Sequence, residues 1–334
     1  MTSLLRRIPA LVATLTASLC LATGAMAQSP AKPMNLMVPY PAGGLSDVIA
    51  RIVNQPLGKA LGQQVIVENL GGVSGALGAQ KVLAAPSDGQ YLFQGSPNEL
   101  ILAPLASNAV KFRSEDFRLV QMIGVSPIAI LARPGLPAKN VDELVALARK
   151  AAADNKPLTY ASVGIGSFYH VLGEHFSQTI GAKMTHIPYK GIAPIFQDLG
   201  GEMVDISIIV SGAQVGGLVD SGRLKVLGTL APAGKVEAPF LKQYPSINDS
   251  KSVKDFAFNI WTGYFVKKDT PEPVVQALHK ALSTVLTDPA VHSQLEQQAV
   301  MAAKPISLAD AQAEYVAQTA RFRAIAKAIK LEAQ

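Results

Sequence analysis

The chain reads as an α/β protein with a mainly parallel sheet, and three observations carry that reading. Short apolar runs of strand length alternate with longer stretches of helical periodicity over most of the chain. Glycine-rich turns stand where several of those strands pass into helices, as they do in open α/β sheets. The composition is that of a packed globule: 49% of residues are hydrophobic and only 16% charged, which excludes a disordered, highly charged chain. The 27 glycines and 22 prolines follow no strict period, so a collagen-like or low-complexity polymer is excluded too. A length of 334 residues suits one large domain or two ordinary ones.

The N-terminus predicts export. Arg6 and Arg7 precede an apolar stretch from Ile8 to Leu21, and small residues then lead to Ala25-Met26-Ala27. A basic start, a short apolar run and an Ala-x-Ala end describe a cleavable signal peptide over residues 1–27, directing a mature chain 28–334 to the periplasm. The run is interrupted by Pro9, Thr14, Thr16 and Ser18 and is shorter than the roughly 20 apolar residues of a membrane span. Leu19 stands before Cys20 where a lipoprotein site would carry a small residue. Cys20 is the only cysteine, so the mature chain must hold together without disulfides. Loss of Arg6 and Arg7 takes the net charge from +6 to +4. With no Lys/Arg cluster and few aromatics, a nucleic-acid groove is excluded, and the mild positive balance favours small anions.

The elements follow in order. Strands are predicted at 35–40, 65–68 and 91–94, and helices at 45–61, 74–84 and 99–106. Residues 118–133 read as two strands broken at Ser126-Pro127. Asn140-Val-Asp-Glu143 is a capping box that opens a helix to 152. Strands at 158–161, 184–187, 204–209 and 225–229 then alternate with helices at 168–180, 192–199 and 215–221. Residues 231–254 look irregular, and 256–266, with the lone Trp261, read as a strand or connector. Helices near 273–286, 290–298 and 308–330 close the chain, the last capped by Ser307 and Asp310. Two blocks of α/β units imply two lobes. The C-terminal helices would return to the first, giving lobe one as 28–127 plus 258–334 and lobe two as 128–257.

Two loops stand out chemically. Val38-Pro-Tyr40-Pro-Ala42-Gly43-Gly44-Leu-Ser-Asp47 joins a strand to a helix start, where glycines admit close backbone approach and unpaired N–H groups face outward. Ala161-Ser162-Val-Gly164-Ile-Gly166-Ser167-Phe-Tyr-His170 does the same in the second block. Either loop is an anion site built on helix dipoles, or an ordinary glycine turn with a helix cap, at Ser46 or Asp47 in the first and at Ser167 in the second. Gly71-Gly72-Val-Ser-Gly75 and Gly95-Ser-Pro-Asn98 are weaker candidates for the same cleft. There is no phosphate-binding Gly-x-x-x-x-Gly-Lys motif, no His-Glu-x-x-His and no Gly-x-Ser-x-Gly elbow. His170 and His175 are splayed by their spacing, and no histidine has an obvious nucleophilic partner, so neither a metal nor a catalytic residue is expected.

Several segments together resemble the Bug family, the extracytoplasmic solute receptors of tripartite tricarboxylate transporters. They are the first loop through Arg51, Leu61–Asn69, the glycine run 71–78, Pro86–Tyr91, Leu158–Ser167, His186–Pro194, Asp198–Asp205, Trp261–Gly263 and Thr270-Pro271. The resemblance spans nearly the whole mature chain. It implies a two-lobed type II periplasmic-binding-protein fold of the Venus-flytrap kind, each lobe a mainly parallel sheet flanked by helices. It implies a non-enzymatic, cofactor-free monomer that captures a small carboxylate and passes it to the membrane subunits of a transporter. Carried over by position, the ligand contacts are Tyr40, Ala42, Gly43, Gly44 and Asp47 on one side, where Asn98 joins them as the polar strand end noted above. On the other they are Ser162, Gly164, Gly166, Ser167 and His170; Ile209 joins the candidates from a run where this chain departs from the family.

One departure bears on the ligand. Many relatives carry an acid a few positions beyond the match to Asp205, where this chain has Ile208-Ile-Val-Ser211. An ammonium group buried there would lack its anion, so an aromatic or aliphatic mono- or dicarboxylate, terephthalate-like for example, is expected rather than an amino acid. The alternatives are a ligand-sensing periplasmic partner of a membrane signalling protein, and an exported hydrolase or lyase acting on small anions.

Overall fold

The computed structural model describes residues 32–236 and 238–333; the expected signal peptide lies outside them. β1 (Met34–Val38) runs parallel to β2 (Val65–Asn69) on one side and β3 (Tyr91–Gly95) on the other. Four of its five residues are buried, because helices cover both faces of a parallel strand. The crossovers are α1 (Leu45–Leu61) and α2 (Ala76–Ala84). After β3 a wide π-type turn at Asn98–Leu102 runs into the short helix α3 (Ala103–Ala106), so the first part of the predicted helix is widened and only its end is α-helical.

β4 (Phe117–Ala132) is one 16-residue strand, not the two expected from Ser126-Pro127. Its first half pairs antiparallel with β9 (Asn259–Lys267), up to Pro127 opposite Asn259. Its second half pairs with β7 (Ile206–Val210) from Ile128 opposite Val210, and with β8 (Lys225–Thr229). Proline thus falls where the strand exchanges partners, and its missing N–H disrupts neither ladder. The short β10 (Met301–Ala302) also lies on β4. β5 (Thr159–Ser162) is parallel to β6 (Thr185–Pro188) and to β7. The sheet is therefore mixed: β1–β3 and β5–β7 contain the parallel pairs, and β4 and β9 join them through antiparallel ones.

The remaining helices are α4 (Val141–Ala153), α5 (Phe168–Thr179), α6 (Ile192–Gly200), α7 (Ala213–Asp220), α8 (Glu272–Leu286), α9 (Pro289–Gln297) and α10 (Leu308–Ala328). The caps at Asn140, Ser167 and Ser307 all accept a backbone N–H in the first turn. α8 and α9 pack with α1 on the β1–β3 side, in an apolar cluster with Val38, Ile49, Val53, Val275, Leu282 and Leu295. α10 spans both strand sets. Its Tyr315 hydroxyl donates to Ser114 O at 2.9 Å, and its Phe322 meets Phe168 of α5 edge-on at 5.3 Å. α5 lies directly on β5, because Gly173 leaves room for the Tyr160 ring; a Cβ there would stand 2.1 Å from Tyr160 Cε2.

Candidate functional site

The loop after β1 turns into α1 through Gly43, whose φ of 85° needs glycine. Asp47, in the first turn of α1, folds back on this loop. Its Oδ2 accepts from Gly43 N and from Arg51 Nε, each at 2.9 Å. Burial raises the Asp47 pKa, but the bonds from Arg51 and Gly43 outweigh it and hold the carboxylate below its ordinary value. Asp47 therefore braces the loop. Ala42, Gly43 and Gly44 are exposed at its crest.

Tyr40 points the other way, into the interior. Its hydroxyl donates to Glu99 Oε1 and accepts from Asn98 Nδ2 at 2.6 Å. Asn98 also donates to Ser74 O at 3.1 Å, and its Oδ1 accepts from Phe168 N at 2.9 Å. One carboxamide therefore ties the β1 and β3 loops to the first N–H of α5, across the two strand sets.

On the α5 side, Ser162 and Ser167 are fully buried. Ser167 Oγ accepts from His170 N at 3.2 Å, the helix cap, and lies 3.4 Å from Ser162 Oγ. Ser162 Oγ accepts from Gly164 N at 3.2 Å and pairs with His186 Nε2 at 2.7 Å. His170 Nδ1 accepts from Gly166 N at 3.0 Å, which places the proton of the neutral ring on Nε2. Gly164 and Gly166 have φ of 127° and 73°. Gly166 sits against α3, where a Cβ would stand 2.0 Å from Ala106 Cβ. Val73, Ser74, Ala103, Ala106, Ser107 and Ile165 line a pocket of about 180 Å³ beside this contact. That is below the 300 Å³ or so of a usual small-ligand pocket, so the two sides are drawn close together here.

Tyr40, Asn98, Ser162, Gly164, Gly166, Ser167 and His170 thus gather along one seam. Ile209 does not join their hydrogen bonds; it is fully buried in the β4–β7 pair. Two residues outside the expected set belong to the seam. Glu99 is buried beside Tyr40; its signal in the sequence is an acid set immediately before the apolar run Leu100-Ile-Leu102. His186 stacks on Tyr160 at 5.0 Å and lies 4.2 Å from the His170 ring. Burial, then His170, pushes its pKa down to about 4.

That depression has a sign. Unfolded histidine titrates near ~6.5, so between that value and about 4 the unfolded chain binds a proton that folded His186 refuses. The stability it contributes is present above the unfolded pKa and is lost as pH falls. The melting temperature of the unliganded protein is expected to drop from pH 7 to pH 5, and less steeply in His186→Gln. Equal slopes in the two proteins would remove His186 from this role.

Glycine-lined loops that meet across a mixed α/β sheet fit a solute-binding protein of the periplasmic type, although Ser162 and His186 form a hydroxyl–imidazole pair that sequence spacing did not suggest. The comparisons place it further. The family model for the tripartite tricarboxylate transporter family receptor matches residues 49–331, and the chain belongs to that family of receptors. Members of this family are binding proteins and not enzymes, which sets aside a hydrolase or lyase. Among curated relatives, the UPF0065 protein in the TAR-I ttuE-ttuC' intergenic region of Agrobacterium vitis is 35% identical over 262 residues, covering 78% of this chain and 73% of that one. Among solved structures, the periplasmic binding protein BugD matches with a TM-score of 0.78 at 28% identity, covering 91% of this chain and all of that one. MatC of Rhodopseudomonas palustris, solved with bound malate, shares the fold with a TM-score of 0.77 at 24% identity, covering 89% of this chain and 99% of that one.

Proposed function

We propose that this receptor works in the periplasm, after removal of residues 1–27, and captures a small carboxylate between two lobes. Lobe one is residues 28–127 and 258–334, and lobe two is residues 128–257. The cargo then passes to the membrane subunits of a tripartite transporter. One observation carries the reading: a side-chain oxygen, Asn98 Oδ1, already accepts from the opening N–H of α5 across the seam. A ligand carboxylate oxygen would take that place. The helix dipole favours an anion there, where the amide offers only a neutral oxygen. Tyr40 and Asn98 hold the carboxylate from lobe one, while the 162–167 loop and His170 close over it by hinge motion. Asp47, Ala42, Gly43 and Gly44 shape the mouth, and Ile209 backs the wall. The buried run Ile206–Val210 offers no acid to an ammonium group, which favours aromatic or aliphatic acids, terephthalate-like among them.

A thermal-shift series with mono- and dicarboxylates, terephthalate, benzoate, malate and adipate included, tests this. At a ligand concentration of about 100 Kd the native state gains ~2.7 kcal/mol, enough to raise the melting temperature by several degrees. A rise with one class of acid, with that acid recovered unchanged, is the expected result. No rise with any carboxylate would remove the reading.

A further inference from the structure

Two carboxyl side chains are buried among the described residues, Asp47 and Glu99. Asp47 has Arg51; among the described residues no Lys, Arg or His lies within ion-pair distance of Glu99. Glu99 is 1% exposed and closely roofed, since a Cβ on Gly75 would stand 2.4 Å from its Cγ. Its two oxygens already accept bonds. Tyr40 hydroxyl gives its hydrogen to Oε1, and Ser96 N donates to Oε2 at 2.7 Å. The groups facing it are Tyr40 from the loop after β1, Ser96 and Asn98 from the turn after β3, and Tyr169 from α5.

A tyrosine has one hydroxyl hydrogen. A ligand carboxylate received between Tyr40 and Phe168 N competes with Glu99 for it, and two ionised carboxylates in one dry site repel strongly. An ammonium group needs room beside Glu99 that Gly75 and the existing donors do not leave. A proton needs none. We infer that Glu99 is a ligand-facing residue that takes up one proton as the site captures a carboxylate. The proton comes from solvent and bonds to a Glu99 oxygen, which then donates where before it accepted; no bond in the ligand breaks. Monocarboxylate capture is then electrically neutral overall. Burial raises the Glu99 pKa, though its bonds from Tyr40 and Ser96 oppose this, and an arriving anion raises it further. Because the complex holds more protons than the free protein, affinity rises as pH falls between the two Glu99 pKa values and is flat outside them.

The inference rests on the carboxylate-receptor reading, and the test separates the two. Calorimetric titration at pH 7 with the most stabilising acid, in phosphate and in Tris, counts protons from the difference in buffer ionisation enthalpy. The expected result is net proton uptake of at most one per ligand, with Kd falling by up to about tenfold per pH unit of acidification. In Glu99→Gln the count falls to near zero and the pH dependence flattens. Binding of the acid with no proton uptake and a pH-independent Kd, measured in the native protein alone, overturns the inference and spares the receptor reading. Uptake unchanged in Glu99→Gln assigns the proton elsewhere and also overturns it. Tight binding of an amino acid without proton uptake, lost in Glu99→Gln, makes Glu99 a cation receptor and overturns it as well. No binding of any carboxylate overturns both.

Discussion

Gly166→Ala is expected to weaken carboxylate binding by about a hundredfold, or ~2.7 kcal/mol, while the protein still folds. The added Cβ would stand 2.0 Å from Ala106 Cβ, on the other side of the seam. Alanine at a φ of 73° costs about 1–2 kcal/mol on its own. The clash with α3 is relieved by parting the two sides, not by unfolding either. Parting them withdraws Phe168 N from Tyr40 and Asn98, so the larger loss falls on binding. Calorimetry and a chemical melt of the unliganded protein separate the two effects. Ala106→Gly in the same chain vacates the contested space and should recover most of the affinity. Unchanged affinity in the single variant would mean that capture does not need this approach.

Gly173→Ala tests how α5 is held in place. In an exposed helix the change stabilises by up to about 1 kcal/mol, through propensity alone. Here the Cβ meets the Tyr160 ring at 2.1 Å, and that ring is itself pinned by a 2.6 Å bond from its hydroxyl to Glu174 Oε1. Overpacking of this kind costs about 3 kcal/mol, so the clash should win. A urea melt is expected to show a lower midpoint with the slope retained. A midpoint at or above the native value would show that helix and ring adjust freely, and that α5 is not rigidly placed.

Much of the architecture was legible because strand and helix periods differ sharply. The caps at Asn140, Ser167 and Ser307 and the alternation through residue 229, apart from 99–106 and 118–133, are local signals that the structure carries. The single strand β4 was not legible. A proline reads as a break, and only the exchange of β9 for β7 at Pro127 makes it harmless. The antiparallel joins were hidden for a related reason, since the pairing of β3 with β9 links residues about 170 positions apart. In the site, Tyr40, Asn98 and the 162–170 loop come together because strand ends converge in such sheets. Asp47 turned out to brace its own loop, as a first-turn acid often does. Glu99 was missed because an acid ahead of Leu100-Ile-Leu102 also reads as an ordinary helix-start charge. Only the fold of Gly75 over it reveals that it is buried.

The central claim is that a ligand carboxylate replaces Asn98 Oδ1 at the opening N–H of α5. The most direct measurement is the amide ¹H–¹⁵N spectrum of the protein during titration with the most stabilising acid. The Phe168 amide proton is expected to move far downfield, as a neutral acceptor gives way to a charged one, with smaller shifts along 162–167. A saturating ligand that leaves the Phe168 amide where it was, while other regions shift, would contradict it.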